Sequence, residues 1–380
     1  MDFSFSEEQQ MMIDTARKFA EQQLKPHAAE WDQQGTMPLD HIRKLGELGY
    51  MGMTVPDTYG GIDAGTAAYV ACILEIAKGD ASTAVAMAVN NSLCNDLLLA
   101  WASEEIKREF LPGLASGEKL GCFALTEPNA GSDPGALRTT ALEDGDEFVI
   151  NGTKCFATNG AISDLVIAFA LTEPSAGARG ISAILVETSN PGFHVSKHEN
   201  KMGIRASSTC ELVFQDCRVP KSRLIGPRGK GMRVALQTLD GGRISIAAQA
   251  IGIAESAFDE AVAYAQQRQQ FNNPLSKMPT IQFAIADMAM DIEVAKAMLF
   301  KAAWLKDTKQ RHTKEAAITK LFASEMAHRV VHKALQIHGG YGYMKEYPLE
   351  RHYRDQRITE IYEGTSEIQR VVIASQVFGK

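Results

Sequence analysis

Between about Lys119 and Arg223 the chain runs in short β-type segments separated by turn residues, and on both sides of that stretch apolar residues recur at helical spacing. This constrains the fold more than any other feature. Helices that do not alternate with strands cannot serve as the crossovers of a parallel sheet, which argues against a Rossmann arrangement. The expected class is α+β: an N-terminal helical domain (1–119), a middle antiparallel β-domain (120–226) and a C-terminal domain resembling a four-helix bundle (227–380).

The helical blocks carry their own punctuation. Ser6 and Gln9 have capping-box spacing before a run in which Ile13, Ala16, Ala20 and Leu24 share one face. Residues 66–78 and 81–101 are apolar nearly all round and predict buried helices, with breaks at Gly60-Gly61 and Gly79-Asp80. After Gly231, helices are expected at about 231–268, 280–306, 313–338 and 366–378. In the β-block, Asn151-Gly152 between two apolar runs predicts a hairpin, and Leu165–Phe169, Ile181–Val186 and Cys210–Phe214 read as further strands.

Composition narrows the function. With a net charge of −7, a basic face for nucleic acid is not the default expectation, and no run of about 18 uninterrupted apolar residues is present to span a membrane. The acidic N-terminus, MDFSFSEEQQ, has no secretory signal pattern, so a bacterial-type cytosolic protein or an already processed form is expected. Cys72, Cys94, Cys122, Cys155, Cys210 and Cys217 form no CxxC pair and read as reduced core residues.

Several motifs fail on spacing. Gly226–Gly231 lacks the pattern of a phosphate loop, and Gly339-Gly340-Tyr341-Gly342 follows a helix, where it reads as a C-cap and turn. His328 and His332 lie four apart but lack a third metal ligand. Three segments remain. ALTEPNAGSDPGA (124–136) places hydroxyls on a Gly-rich turn after an apolar run, where backbone N–H groups can approach a ligand. QIHGGYGYMKEYPLERHYRD (336–355) is charge-dense and reads alone as a solvated linker. IYEGTSEIQR (361–370) sets Glu363 before a helix that Thr365 or Ser366 can cap.

In combination these segments resemble the acyl-CoA dehydrogenase family, and the likeness spans essentially the whole chain. The second signature is carried by Gln336, Gly339, Gly340, Gly342, Glu346, Arg351 and Asp355. RHYRDQRITEIYEGTSEIQR and LDGGRISIAAQAIGIAE look most like the short-chain, butyryl-CoA branch. The resemblance implies FAD bound by Phe123, Leu125, Thr126, Gly131, Ser132, Phe156, Thr158, Thr365 and Glu367. It also implies that Arg268, Phe271, Gln336, Gly339 and Gly340 reach the FAD of a neighbouring subunit in a homotetramer. Acyl-CoA would meet Ser132, Asp240, Arg243 and Gly364, with Arg243 suited to the polar nucleotide end of CoA. Electron-transfer flavoprotein is the implied acceptor, and the mitochondrial matrix the implied location of a processed form. Asn272, where relatives carry Gly, and Pro279, where close relatives often carry Gln, depart from the pattern.

The implied reaction is α,β-dehydrogenation of a thioester, with Glu363 removing the α-proton. Some branches place the base immediately before the arginine equivalent to Arg243; that position is Gly242, which has no side chain to act. The alternatives are a branched-chain or aromatic-type dehydrogenase or an oxidase of the same fold, a flavin-containing nucleic-acid binder, and a colourless helical scaffold.

Overall fold

The expected capping box forms: the Gln9 N–H donates to Ser6 Oγ (3.2 Å) and the Ser6 N–H to Gln9 Oε1 (3.1 Å). It opens α1 (Glu7–Phe19) in the computed structural model, which describes residues 4–379. There follow α2 (Ala28–Gln34), α3 (Leu39–Glu47), α4 (Gly65–Gly79), α5 (Ala81–Ala88), α6 (Asp96–Trp101) and α7 (Glu104–Ala115). Apolar nearly all round, α4 and α5 are also buried nearly all round. Asp80 separates them and caps α5 by accepting the Thr83 N–H at 2.7 Å. A π-helical turn, Val89–Asn95, joins α5 to α6. Its Asn90 donates to the Met51 and Leu114 carbonyls (both 3.0 Å) and accepts the Gly121 N–H (3.0 Å). One buried amide thus ties the helical block to the first strand.

The strands are β1 (Gly121–Ala124), β2 (Thr140–Asp144), β3 (Glu147–Thr158), β4 (Leu165–Leu171), β5 (Ile181–Glu187), β6 (Phe193–His198), β7 (Thr209–Pro220) and β8 (Leu224–Ile225). Their order is β6-β7-β3-β2-β4-β5-β8, with β1 on β4. The sheet is mixed rather than wholly antiparallel. β1 runs parallel to β4, because the connection through residues 125–164 is long enough to bring the chain round in the same direction.

The hairpin expected at Asn151-Gly152 is not formed. β3 continues through it, and the chain reverses at Gly145 (φ +60°) between β2 and β3. Asn151 instead holds Asp216 on β7, accepting its N–H at 2.8 Å and donating to its carboxylate at 3.2 Å. At Gly152 the β3–β7 register shifts, and a Cβ there would fall 2.4 Å from Thr139 Oγ1. A tight-turn dipeptide has become an in-strand bulge.

Two cores meet at β4. Leu165, Ile167 and Phe169 pack with the helices, whereas Val166, Ala168 and Ala170 fill the interior of the β-domain with Phe148 and Phe214. All six cysteines are unpaired and buried. The C-terminal block comprises α8 (Gly231–Gln267), the short strands β9 (Gln269–Gln270) and β10 (Asn273–Pro274), then α9 (Pro279–Asp307), α10 (Thr313–His338), α11 (Leu349–Arg357) and α12 (Ser366–Val377). Of these, α11 corrects the linker reading of 336–355. Its Arg351, His352, Asp355 and Gln356 are buried. Asp355 Oδ1 accepts the Ile204 N–H at 2.5 Å, and Arg354 bridges Glu350 and Asp32 at 2.8 and 2.7 Å. The charges of this segment join the three sequence blocks to one another and are largely withdrawn from water.

Candidate active site

Beyond α11 the chain turns sharply, and Glu363 and Gly364 take positive φ in succession, +52° and +94°. The left-handed region costs a non-glycine residue about 1–2 kcal/mol, so the surroundings must hold Glu363 there. Three elements do so. Lys320 Nζ on α10 donates to the Gly364 carbonyl (2.8 Å). Gln369 Nε2 on α12 donates to the carbonyls of Glu363 (3.1 Å) and Gly364 (2.9 Å). The Tyr362 hydroxyl donates to Gln249 on α8, whose amide is fixed on the Ala81 carbonyl (2.8 Å). Thr365 then caps α12, accepting the Ile368 N–H at 3.4 Å.

The residue is half-buried, but its Oε2 lies out of contact with solvent and has no hydrogen-bond partner within the chain. It rests on Gly242: a Cβ built there would lie 1.9 Å from that oxygen. Whatever the side chain at 242, it competes with Glu363 for the same space. Burial raises the Glu363 carboxyl to about 7, against the opposing charges of Lys320 and Arg243. Arg243 is 4% exposed and donates to Asp240 Oδ1 at 2.7 Å, while Asp240 Oδ2 accepts from the Thr313 hydroxyl at 2.7 Å. Arg243 Nε also lacks a partner within the chain. Three of the expected acyl-CoA residues, Asp240, Arg243 and Gly364, therefore gather around Glu363, and Arg243 stands beside the carboxylate rather than at the surface. Ser132 is exposed, in the bend it shares with Gly131.

A second group forms where β1 meets β3. The Cys155 N–H donates to the Thr126 carbonyl at 2.8 Å. Buried Lys154 donates to the Leu125 carbonyl (3.2 Å) and to Glu127 Oε1 (2.7 Å), and Glu127 receives the N–H groups of Arg138 (2.6 Å) and Thr139 (3.0 Å). The 124–136 loop is thereby lashed to β3, and Phe123, Leu125 and Thr126 lie alongside the strand that bears Phe156 and Thr158. Phe156 sits at a β3–β7 irregularity with φ +56° and is 65% exposed. An apolar ring held outward on strained backbone is unusual unless something covers it.

A third group lies past the end of α8. The Arg268 guanidinium sits over the Tyr341 ring at 5.6 Å, in a cavity of about 510 Å³ also lined by Tyr264, Leu275, Gly339 and Gly340. Gln336 is exposed on the last turn of α10. Phe271 is 88% exposed at φ +52°, and Asn272 follows at φ +62°. Asparagine tolerates that region better than other residues with side chains, so the departure from glycine preserves the turn. Pro279 stands at the first position of α9, where its missing N–H costs nothing. Glu367 is exposed on the first turn of α12. His328 pairs with Gln356 Nε2 at 3.0 Å.

Sequence reasoning missed Lys320, Gln369 and Gln249. Lys320 is 0% exposed, and its ammonium is pulled down to about 8 by burial, against the attraction of Glu363. The signal was available: Ala316, Ala323 and Ala327, all buried, set Lys320 on the apolar face of α10.

Sequence profiles for the N-terminal, middle and C-terminal domains of acyl-CoA dehydrogenase match residues 6–118, 122–217 and 229–378. The chain is 50% identical over 371 residues to the mitochondrial short-chain specific acyl-CoA dehydrogenase of Bos taurus, covering 98% of this chain and 90% of that one. It is 48% identical over 379 residues to an acryloyl-CoA reductase (NADH) of Anaerotignum propionicum, covering 99% and 96%. The solved structure of butyryl-CoA dehydrogenase from Megasphaera elsdenii aligns with a TM-score of 0.98 at 44% identity, with 100% of each chain covered.

Proposed function

Because this chain belongs to the acyl-CoA dehydrogenase family, we propose that it oxidises a short, straight-chain acyl-CoA to the trans-2-enoyl-CoA, with Glu363 as the base. The observation that carries this reading is Glu363 Oε2, out of contact with solvent, without a hydrogen-bond partner in the chain, and held on a strained turn above Gly242.

The family is FAD-dependent, and the residues fit a planar ring system. Phe156 offers an exposed face, Thr126 is tied to the neighbouring Cys155 through its carbonyl, and a Cβ at Gly131 would meet nothing within 4 Å. Bound between the β-domain and the C-terminal helices, FAD would accept the hydride that leaves the β-carbon. The chain handles the proton. An α-proton of a thioester is weakly acidic, so a base already shielded from water has an advantage: burial has raised its proton affinity towards neutrality. The α C–H bond breaks with its proton passing to a Glu363 oxygen, and its electron pair forms the new double bond as the β-hydride departs. In this reading the Glu363 backbone N–H, on the clamped turn, would donate to the thioester carbonyl as charge develops there. Arg243 and Lys320 add fixed positive charge beside the base.

Electron-transfer flavoprotein is the proposed acceptor and a homotetramer the proposed assembly. Exposed Phe271, Phe283, Met290 and Val294 on and before α9, with Val371 and Phe378 at the C-terminus, supply apolar surface for subunit contacts. No helix among the described residues is long and apolar enough to cross a membrane. The test is a panel of straight and branched acyl-CoAs of increasing length, oxidised with electron-transfer flavoprotein, a dye or oxygen as acceptor. Butyryl-CoA should be preferred and oxygen should serve poorly. Preference for long or branched chains, rapid turnover with oxygen, or enoyl-CoA reduction by NADH as the dominant reaction would overturn the assignment.

A further inference from the structure

A buried ammonium is costly unless its charge is met. Lys320 is buried at 0% exposure, and its hydrogen bond goes to a neutral carbonyl, that of Gly364, at 2.8 Å. Among the charges acting on it, Glu363 draws it most strongly, ahead of Glu360 and Glu367, while Arg243 repels it. The carbonyl it holds belongs to the residue directly after Glu363, in the turn where both residues take positive φ.

We propose that Lys320 is a positioning residue for the base: it pins the Gly364 carbonyl, and with it the left-handed turn at Glu363, and it supplies positive charge beside a carboxylate whose Oε2 is shielded from solvent. This rests on Glu363 being the base. Two arguments separate Lys320 from its neighbours. Gln369 pins the same turn from α12, but it is neutral and serves geometry only. Arg243 faces the carboxylate from α8, but its charge is shared with Asp240 at 2.7 Å. Among the described residues, the hydroxyls of Tyr69 on α4 and of the adjacent Tyr362 also face Glu363, and burial keeps both neutral. Lys320 is thus the cation from α10 that both touches the turn and has its charge left for the base. Lys320 and Glu363 also compensate each other: the carboxylate raises the proton affinity of the ammonium against the lowering effect of burial.

The test uses the FAD-loaded full-length chain with Lys320→Gln, Lys320→Met and Lys320→Arg. The rate of anaerobic flavin bleaching by butyryl-CoA is followed against pH, with Glu363→Gln as control. Gln can still donate to the Gly364 carbonyl but carries no charge; Arg keeps the charge. Losing a cation close to a buried carboxylate shifts its titration by about one unit or more, so the acid limb should move up by that amount in Gln and Met and return towards wild type in Arg. A neutral variant whose limb stays at the wild-type position overturns the proposal, however much slower it is. So does an Arg variant displaced as far as Gln. Should Met fail to retain flavin, the Gln–Arg comparison still decides. Full bleaching by Glu363→Gln would remove the base assignment itself and this proposal with it; no bleaching by Glu363→Gln with an unmoved limb in the Lys320 variants removes this proposal alone.

Discussion

Replacing Gly242 by alanine adds a single methyl group, and the structure fixes where it goes. The new Cβ falls 1.9 Å from Glu363 Oε2, 2.8 Å from its Cδ and 2.9 Å from Leu93 Cδ2. Ordinary contact begins near 3.4 Å, so the carboxylate oxygen must withdraw by about 1.5 Å. The three nearest atoms all belong to the ends of side chains, which can move without the backbone. Within a helix, alanine is favoured over glycine by about 0.5–1 kcal/mol, so α8 itself gains from the change. Misplacing a reacting group by about 1 Å can cost roughly 10²-fold in rate. The variant should therefore fold with an unchanged or raised Tm and keep its flavin, yet be bleached by butyryl-CoA about a hundredfold or more slowly. Anaerobic stopped-flow reduction and a thermal melt on one preparation measure both quantities. An undiminished bleaching rate would refute the argument, because either the carboxylate does not occupy that space or it is not the group that takes the proton.

Glu363 must be deprotonated to act, and burial raises it to about 7 in the free protein. A base with that pKa loses its active form as pH falls, so kcat/KM should decline below about pH 7, by about tenfold per unit at the low end; a flat profile down to pH 5 in the reductive half-reaction would contradict it. Lys154→Met leaves Glu127 buried without its cation, at a cost of about 3–5 kcal/mol, and loosens the loop that carries Thr126. A lowered denaturation midpoint together with faster loss of flavin on dilution is expected, read by urea titration and flavin fluorescence.

Periodicity, helix-forming composition and end signals together locate the C-terminal helices to within a residue at each end, because α8, α9, α10 and α12 are bounded by Gly, Pro and Thr. Interactions distant in sequence were less legible. Asn151-Gly152 carries a strong local turn signal, but Asp216, 65 residues away, claims its side chain, and the Gly145 turn closes the hairpin instead. α11 reads as a solvated linker because its charges outnumber its apolar residues. Their partners, Asp32 on α2 and the Ile204 N–H, become visible only once the blocks are assembled. The candidate base was legible through the motif around it and the glycine at 242. Its supports were not, since Lys320 reaches Gly364 across 44 residues and Gln249 reaches Tyr362 across 113. Positive φ at Phe156, Phe271 and Glu363 was also invisible, because no local propensity announces strain that tertiary contacts impose.

The central claim is that the Glu363 carboxylate removes the α-proton. Glu363→Gln replaces one oxygen with an amide nitrogen of nearly the same size, so the turn, the Lys320 and Gln369 contacts and the flavin site remain. Mixed anaerobically with butyryl-CoA, the variant should bind the thioester, shown by a perturbed flavin spectrum, and fail to bleach over times in which the unaltered protein is fully reduced. Full bleaching at a comparable rate would contradict the account and move the base elsewhere in the pocket.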